Sequence, residues 1–382
     1  MPAAGGFGIE EEYLLLDLHS GRLLDEPSAA VLAVCREVLG AQFAEEMFRC
    51  QIELASPVFT RQAQARDYLG HCRGELARRL AAEGAGLLTA GSHPAGTWRS
   101  QRPTASVHYR QLFEDYRQVA RRSLVCGLHV HVGVPPEVDR MAVINRIRHW
   151  LPMLLMLSTS SPFWEGEDSG YYSYRRVLCG EWPRMGLPEP LADWAAYQRY
   201  LAWLQDSGAV PAGGDCWWAL RPSRRFPTVE VRIADACPRL EDGLCIAGVF
   251  RQMVDWAVRQ HGAVSPPDAE AGWREQENYW RAMRSGRRGQ YLVDDGGVCS
   301  AAQWLARIGD ILQPDSEDAV AALDRAASIL HVGSSADRQL ARFDLARQSG
   351  ASRAQALRQV LDGLLSETRG EPVGAGLPAR RQ

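Results

Sequence analysis

Three glutamates stand together near the start of the sequence. In Gly8-Ile-Glu-Glu-Glu-Tyr-Leu-Leu-Leu-Asp17, Glu10, Glu11 and Glu12 lead into a run rich in Leu and Tyr. Such a run, followed by the turn-like Ser20-Gly21, reads as a β-strand. Side chains alternate along a strand, so Glu10 and Glu12 share one face and Glu11 takes the other. Two carboxylates on a largely buried face repel each other and are costly to desolvate unless a cation or protons compensate. This stretch is either a platform for a divalent metal or an edge strand with a solvated acidic face. Alone it does not decide between them.

The same device recurs. Gln51-Ile-Glu-Leu54 places Glu53 alone among apolar neighbours on a strand. Gly127-Leu-His-Val-His-Val-Gly133 puts His129 and His131 on one face and apolar side chains on the other. The pair fits two metal ligands, one ligand with one substrate donor, or two satisfied core histidines. Thr228-Val-Glu-Val-Arg-Ile233 sets Glu230 and Arg232 on one face, which is also what a plain ion pair would give. A single sheet with helices against its apolar face would collect Glu10, Glu12, Glu53, His129, Glu230 and Arg232 on the open face. That set suits a hard cation such as Mg²⁺ or Mn²⁺, with coordination positions left for phosphate oxygens. No GxxxxGK[ST] and no GxGxxG after a strand occurs, so a nucleotide would be held through metals and arginines. Tyr174 and Arg175 in Tyr171–Arg176, Arg221 after Trp217-Trp-Ala-Leu, and Arg281 and Arg284 in Asn278–Arg284 are candidate phosphate or carboxylate contacts. Each alone is more often a surface ion pair.

Strands over Gly8–Asp17, Cys50–Ser56, Gly86–Ala90, Leu124–Val134, Trp217–Arg221 and Thr228–Ala234 must position these groups, the last two as a hairpin pair. Helices are expected over Ser28–Leu39, Gln62–Glu83, Ser106–Arg122, Asp139–Leu157 (kinked at Pro152) and Leu191–Gln205. From Leu240 onward the pattern is nearly all helical. Between Ser158 and Pro190 it loses its period, as functional loops do, and this segment is expected to border the site. No linker or repeat is visible. One domain over 1–370 is expected, with a disordered tail over 371–382.

The bulk numbers agree. The chain has 382 residues, 46% hydrophobic and 23% charged, with net charge -3, so no general affinity for nucleic acid or anionic membranes is expected. Nine cysteines without a CxxC pair, and an N-terminus unlike a signal peptide, point to free thiols in the cytoplasm.

Seven motifs in order carry a resemblance: GIEEEYLLLD, QIELASP, AGSHPAGTW, CGLHVHVGV, SPFWEGEDSGYYSYR, WWALRPS and TVEVRIADA. Together they resemble the carboxylate–amine ligase family of the glutamate–cysteine ligase type 2 group. The resemblance implies an α+β, glutamine-synthetase-like fold: a curved, mainly antiparallel sheet with helices on one face and a helical C-terminal third. It implies ATP-dependent joining of a carboxylate to an amine through an acyl phosphate, with Mg²⁺ or Mn²⁺. By motif match, Glu10, Glu12, Glu53, His129 and Glu230 look like the metal set and Arg232 like a contact to phosphate or the activated carboxylate. His131, Tyr174, Arg175, Arg221, Arg281 and Arg284 look like substrate or nucleotide surroundings. L-glutamate and L-cysteine are the implied substrates, as small molecules, and a homo-oligomer is compatible with this. The alternatives are a ligase of specialised metabolism with other substrates, and a metal-dependent hydrolase or cupin-type metalloprotein, where HxH with distant Glu also occurs.

Overall fold

The computed structural model describes residues 4–211, 214–260, 264 and 266–371. The expected disordered tail therefore lies outside the described residues, except for Glu371. In chain order the strands are β1 (Phe7–Asp17), β2 (Phe43–Glu45), β3 (Gln51–Ala55), β4 (Ala85–Leu88), β5 (Gly127–Gly133), β6 (Phe163–Trp164), β7 (Glu167–Asp168), β8 (Leu220–Pro222), β9 (Thr228–Asp235), β10 (Gln290–Leu292) and β11 (Val298–Ser300). The helices of the first half are α1 (Ala29–Leu39), α2 (Gln62–Ala82), α3 (Val107–Tyr116), α4 (Gln118–Arg122), α5 (Arg140–Ile147), α6 (Leu151–Ser158), α7 (Tyr174–Cys179) and α8 (Trp194–Asp206). Those of the second half are α9 (Leu240–Arg259), α10 (Ala269–Ser285), α11 (Ala301–Leu312), α12 (Glu317–Val332), α13 (Ser335–Gln348) and α14 (Arg353–Thr368).

One sheet organises the chain, in the order β2-β3-β1-β5-β9-β8, with β4 also paired to β1. All its pairings are antiparallel, as expected. Phe7, Ile9, Tyr13 and Leu15 of β1 point to one face. There they join Val130 and Val132 of β5, Val229 and Val231 of β9, and the apolar sides of α2, α5, α6 and α9 in the main core. Leu14 and Leu16 point to the opposite face. Over that end of the sheet α13 and α14 return and bury them against Leu340, Leu357, Leu361 and Leu364. The helical layer is thus the expected one on the first face, with a smaller cover on the second. The rest of that second face, carrying Glu10 and Glu12, lies outside both hydrophobic clusters.

Two expected helices are each split. Asp139–Leu157 becomes α5 and α6 joined by a tight turn, and Pro152 sits in the first turn of α6, where its missing N–H costs nothing. Ser106–Arg122 breaks at Arg117, whose φ is 44°.

Glu11 lies under the sheet, as the alternation requires. Arg73 of α2 grips it through Nη2 at 2.6 Å and Nε at 3.0 Å, and also donates to the carbonyls of Cys237 and Pro238. The Tyr13 hydroxyl donates to the same carboxylate. Both charged partners are buried. Removing one leaves the other charged in the core, at a typical cost of about 3–5 kcal/mol. Glu11→Gln should lose stability on that scale in urea unfolding, while the folded fraction keeps the chemistry of the opposite face. A loss below about 1 kcal/mol would mean the pair is not buried and intact.

Candidate active site

The strand register assembles the open face. Glu10 lies opposite His129 and Glu12 opposite Glu53. His131 lies opposite Glu230, which in turn faces Arg221 of β8. Between Leu128 and Val130 the β5–β9 register slips by one residue, so Arg232 and Ile233 oppose the single residue His129. Such a bulge re-aims the side chains that follow it. Ile233 and Ala234 both enter the main core, and Asp235 emerges on the far side. There it accepts from Ser160 N–H and from the hydroxyls of Ser161 and Ser173 at 2.7–3.0 Å. Arg175 caps the bulge by donating to the carbonyls of Ala234 and, at longer range, Ile233 and Arg232. It passes so close to Gly127 that a Cβ there would lie 2.2 Å from its Nη2.

Two groups result, each able to bring three ligand atoms within 4.8 Å of one another: Glu10, His131 and Glu230, and Glu12, Glu46 and Glu53. His129 links them. Its Nδ1 is 3.2 Å from Glu10 Oε2 and its Nε2 is 3.5 Å from Glu12 Oε1. His131 Nε2 lies 3.2 Å from Glu10 and 3.7 Å from Glu230. Arg232 bonds Glu230 and approaches His129 Nδ1 at 3.4 Å. Arg221 clamps Glu230 from the other side at 2.7 and 3.3 Å.

The electrostatics differ between the two groups. Burial works to raise the Glu10 carboxyl, but His129 and His131 beside it hold it well below the usual carboxylate range. Burial likewise works against Glu230, and Arg232 and Arg221 overcome it, holding the carboxyl down at about 2. His129 is pushed down to about 4 by burial and by the Arg232 guanidinium, so its ring is neutral near pH 7 and can ligate. Glu12 is pushed up to about 7 by burial and by the Glu46 charge. Burial and three neighbouring carboxylates also raise Glu53 well above the usual carboxylate range. Among the described residues no arginine clamps this second group as closely as Arg221 and Arg232 clamp Glu230. Its oxygen-only donors suit Mg²⁺ or Mn²⁺.

A cavity of about 290 Å³ opens over this face. Glu10, Glu12, Glu53, His129, Arg175 and Arg232 line its floor. Tyr109 and Leu112 of α3 with Trp182 and Trp217 form walls, and Trp182 is pinned by donating to Ser123 Oγ. The segment 158–190 therefore does border the site, through Arg175, Cys179, Trp182 and Met185. It is not wholly irregular: β6, β7 and α7 lie within it, and Asp235 ties its first part down. Tyr174 stays outside, among Trp164 and Tyr171. Arg281 and Arg284 are not brought to the cavity either. Arg281 pairs with Glu277 one turn away, and Arg284 stacks on Tyr171. Arg221 is not a lining residue but holds Glu230. Glu46 escaped the sequence reading because it follows a three-residue strand with no alternation to expose it. Its signal was the Glu45-Glu46 pair one hairpin before Glu53.

A family model described as glutamate-cysteine ligase family 2 matches residues 6–363. The chain belongs to that family. A relative from Pseudomonas entomophila strain L48, provisionally named glutamate–cysteine ligase 2, is 56% identical over 97% of both chains. One from Pseudomonas aeruginosa PAO1 with the same provisional name is 46% identical over 98% of this chain and 99% of its own. Among solved structures, the glutamate–cysteine ligase of Francisella tularensis in complex with AMP superposes with a TM-score of 0.68. It is 14% identical, over 99% of this chain and 91% of that one. A bifunctional glutathione synthetase from Pasteurella multocida gives 0.65 at 15% identity, over 95% of this chain and 54% of that one. These structural likenesses show the fold, the glutamine-synthetase-like α+β type expected from the motifs. Family membership makes the chain an enzyme of the carboxylate–amine ligase type and removes the hydrolase and cupin alternatives. No helix among the described residues is long and apolar enough to cross a membrane.

In this family member the raised carboxyls have a consequence for stability. Glu12 titrates near 7 in the folded chain against 4.5 as the reference value, so folding takes up a proton between those values. Its contribution is fully present below about pH 4.5 and is lost as pH rises through 7. The loss is on the order of 1–3 kcal/mol. A cation on Glu12, Glu46 and Glu53 would offset it. Saturating Mn²⁺ should therefore raise the melting temperature more at pH 8 than at pH 5.5, in scans against EDTA. An equal increment at both pH values would show that the cation does not bind these carboxylates.

Proposed function

We propose that the chain is an ATP-dependent ligase that joins the γ-carboxylate of L-glutamate to the amine of L-cysteine, giving γ-glutamylcysteine, in one catalytic domain over 1–370. The observation that carries the ATP-dependent chemistry is the pair of adjacent ligand groups on one sheet face, with Arg232 beside Glu230 and His129 and the cavity above. The substrate identities rest on the names of the relatives and of the Francisella ligase, whose complex with AMP also supports adenine nucleotide use. Unpaired cysteines, all nine buried, fit the cytoplasm.

Glu12, Glu46 and Glu53, and Glu10, His131 and Glu230 with His129 beside them, are the residues that would hold divalent cations. When bound, the cations supply charge neutralisation on phosphate oxygens. The reaction balances in two displacements. A carboxylate oxygen of the first substrate takes the γ-phosphoryl group and ADP leaves. The amine nitrogen then bonds the acyl carbon, phosphate leaves with its electron pair, and the amine gives up a proton to the medium. Arg232, fixed by Glu230, presents its free guanidinium edge to the charge that develops on the transferring group. Arg221 acts through Glu230 and positions it. Arg175 holds the bulge from which Arg232 projects. No nucleophilic Ser or Cys takes part.

Purified protein with Mg²⁺-ATP should release ADP only when both a carboxylate and an amine are present, L-glutamate and L-cysteine being best in a panel. Glu12→Gln should abolish that release. Arg232→Lys keeps the charge but loses the planar fork. It should lower turnover by ~10²–10³ at unchanged melting temperature. Lost stability with unchanged turnover per folded molecule would instead reduce Arg232 to an ion-pair partner of Glu230.

A further inference from the structure

The helix that walls the active cavity has a second working face. His108, Tyr109 and Leu112 of α3 line the cavity. Arg110, Phe113, Glu114 and Arg117, on the other side, line a separate open groove of about 800 Å³. Arg121 of α4 and Arg49 complete its basic rim. Four arginines thus meet one carboxylate, Glu114, among the lining residues. Arg49 is compensated by Glu26. Arg110, Arg117 and Arg121 make no ion pair and no side-chain hydrogen bond among the described residues.

At a cavity of about 600 Å³ beside α9 and α12, by contrast, the lining arginines have partners. There Arg259 pairs with Asp255 and Asp315, and Arg251 donates to the Thr60 carbonyl. At the basic groove the cationic groups stay unspent. Arg117 is also held at φ 44° and ψ -108°, ending α3 and starting α4 in the same residue. A non-glycine residue in such a region costs about 1–3 kcal/mol, and strain of this kind concentrates where ligands are held. Arg110 of α3, Arg117 at the break and Arg121 of α4 all line this one concavity.

We propose that this groove is a binding site for a small polyanion of the phosphate class, separate from the catalytic face. Guanidinium forks match phosphate oxygens two at a time, and three of them without partners give a multiply charged ligand its full complement. The site is open, so affinity falls with ionic strength.

Calorimetric titration with inorganic tripolyphosphate tests this, in EDTA so that the acidic cavity offers no cation bridge. The wild-type chain should take up one equivalent, more weakly as salt rises. Arg110→Gln, Arg117→Gln and Arg121→Gln should each weaken binding ~10-fold or more, and the triple exchange should abolish it. All three residues are exposed, so melting temperatures should hold, and any single variant suffices if the triple one fails to fold. Glu12→Gln, in the catalytic face, should bind as wild type does. Citrate at equal concentration should bind more weakly. Unchanged affinity in the arginine variants overturns the site, as does a loss that follows Glu12→Gln instead. Citrate binding as tightly as tripolyphosphate overturns the phosphate assignment.

Discussion

Along β1 the period of two forces Glu10 and Glu12 onto one face of the sheet and Glu11 onto the other. Three adjacent carboxylates in a central strand must then be compensated on both sides at once. Below the sheet the answer is internal: Arg73 reaches from α2 and closes a buried ion pair. Above it the answer is incomplete. Two arginines balance Glu230 and two imidazoles lie 3.2 Å from Glu10, while Glu12, Glu46 and Glu53 face one another with burial acting against all three. A folded core has no structural use for that arrangement, since hydrophobic replacements would be more stable. On the proposed function, a cation and its phosphates would lie on this uncompensated side.

The remaining features serve to keep that side open and aimed. The slip in the β5–β9 register lets Glu230 and Arg232 face the site while Asp235, just beyond, anchors the 158–175 segment. Without a bulge, Asp235 would point into the apolar core. Gly127 leaves room for Arg175 to cross β5 and hold the bulge carbonyls. Leu14 and Leu16, on the same face as the glutamates, are covered by α14, so the open area is limited to the part of the sheet that carries charge.

Much of this was legible in the chain itself. Alternation in β1, β3, β5 and β9 identified the face and most of its charged residues, because period-two patterns are local. The antiparallel pairing was implied by the family resemblance, since alternation alone fits a parallel sheet equally well. What escaped were features set by contacts distant in sequence. Glu46 belongs to the site only because β2 pairs with β3. His131 sits with Glu10 and Glu230 through register, which a single strand does not reveal. Trp182 walls the cavity from the segment that lost its period, and Tyr109 and Trp217 from an expected helix and strand whose neighbours the pattern does not reveal. Conversely Tyr174, Arg281 and Arg284 looked like site residues by motif, yet their side chains are spent on local stacking and on a one-turn ion pair. The breaks at Arg117 and before Pro152 lie inside otherwise helical patterns, where one residue's backbone outweighs the period.

The central claim is that the open face is a cation and nucleotide site. Anomalous scattering from crystals grown with Mn²⁺ and a non-hydrolysable ATP analogue tests it most directly. The account predicts manganese peaks among Glu12, Glu46 and Glu53 and among Glu10, His131 and Glu230, each about 2.0–2.4 Å from carboxylate oxygens and bridged to phosphate. Nucleotide bound elsewhere, or with no metal on these carboxylates, would contradict it.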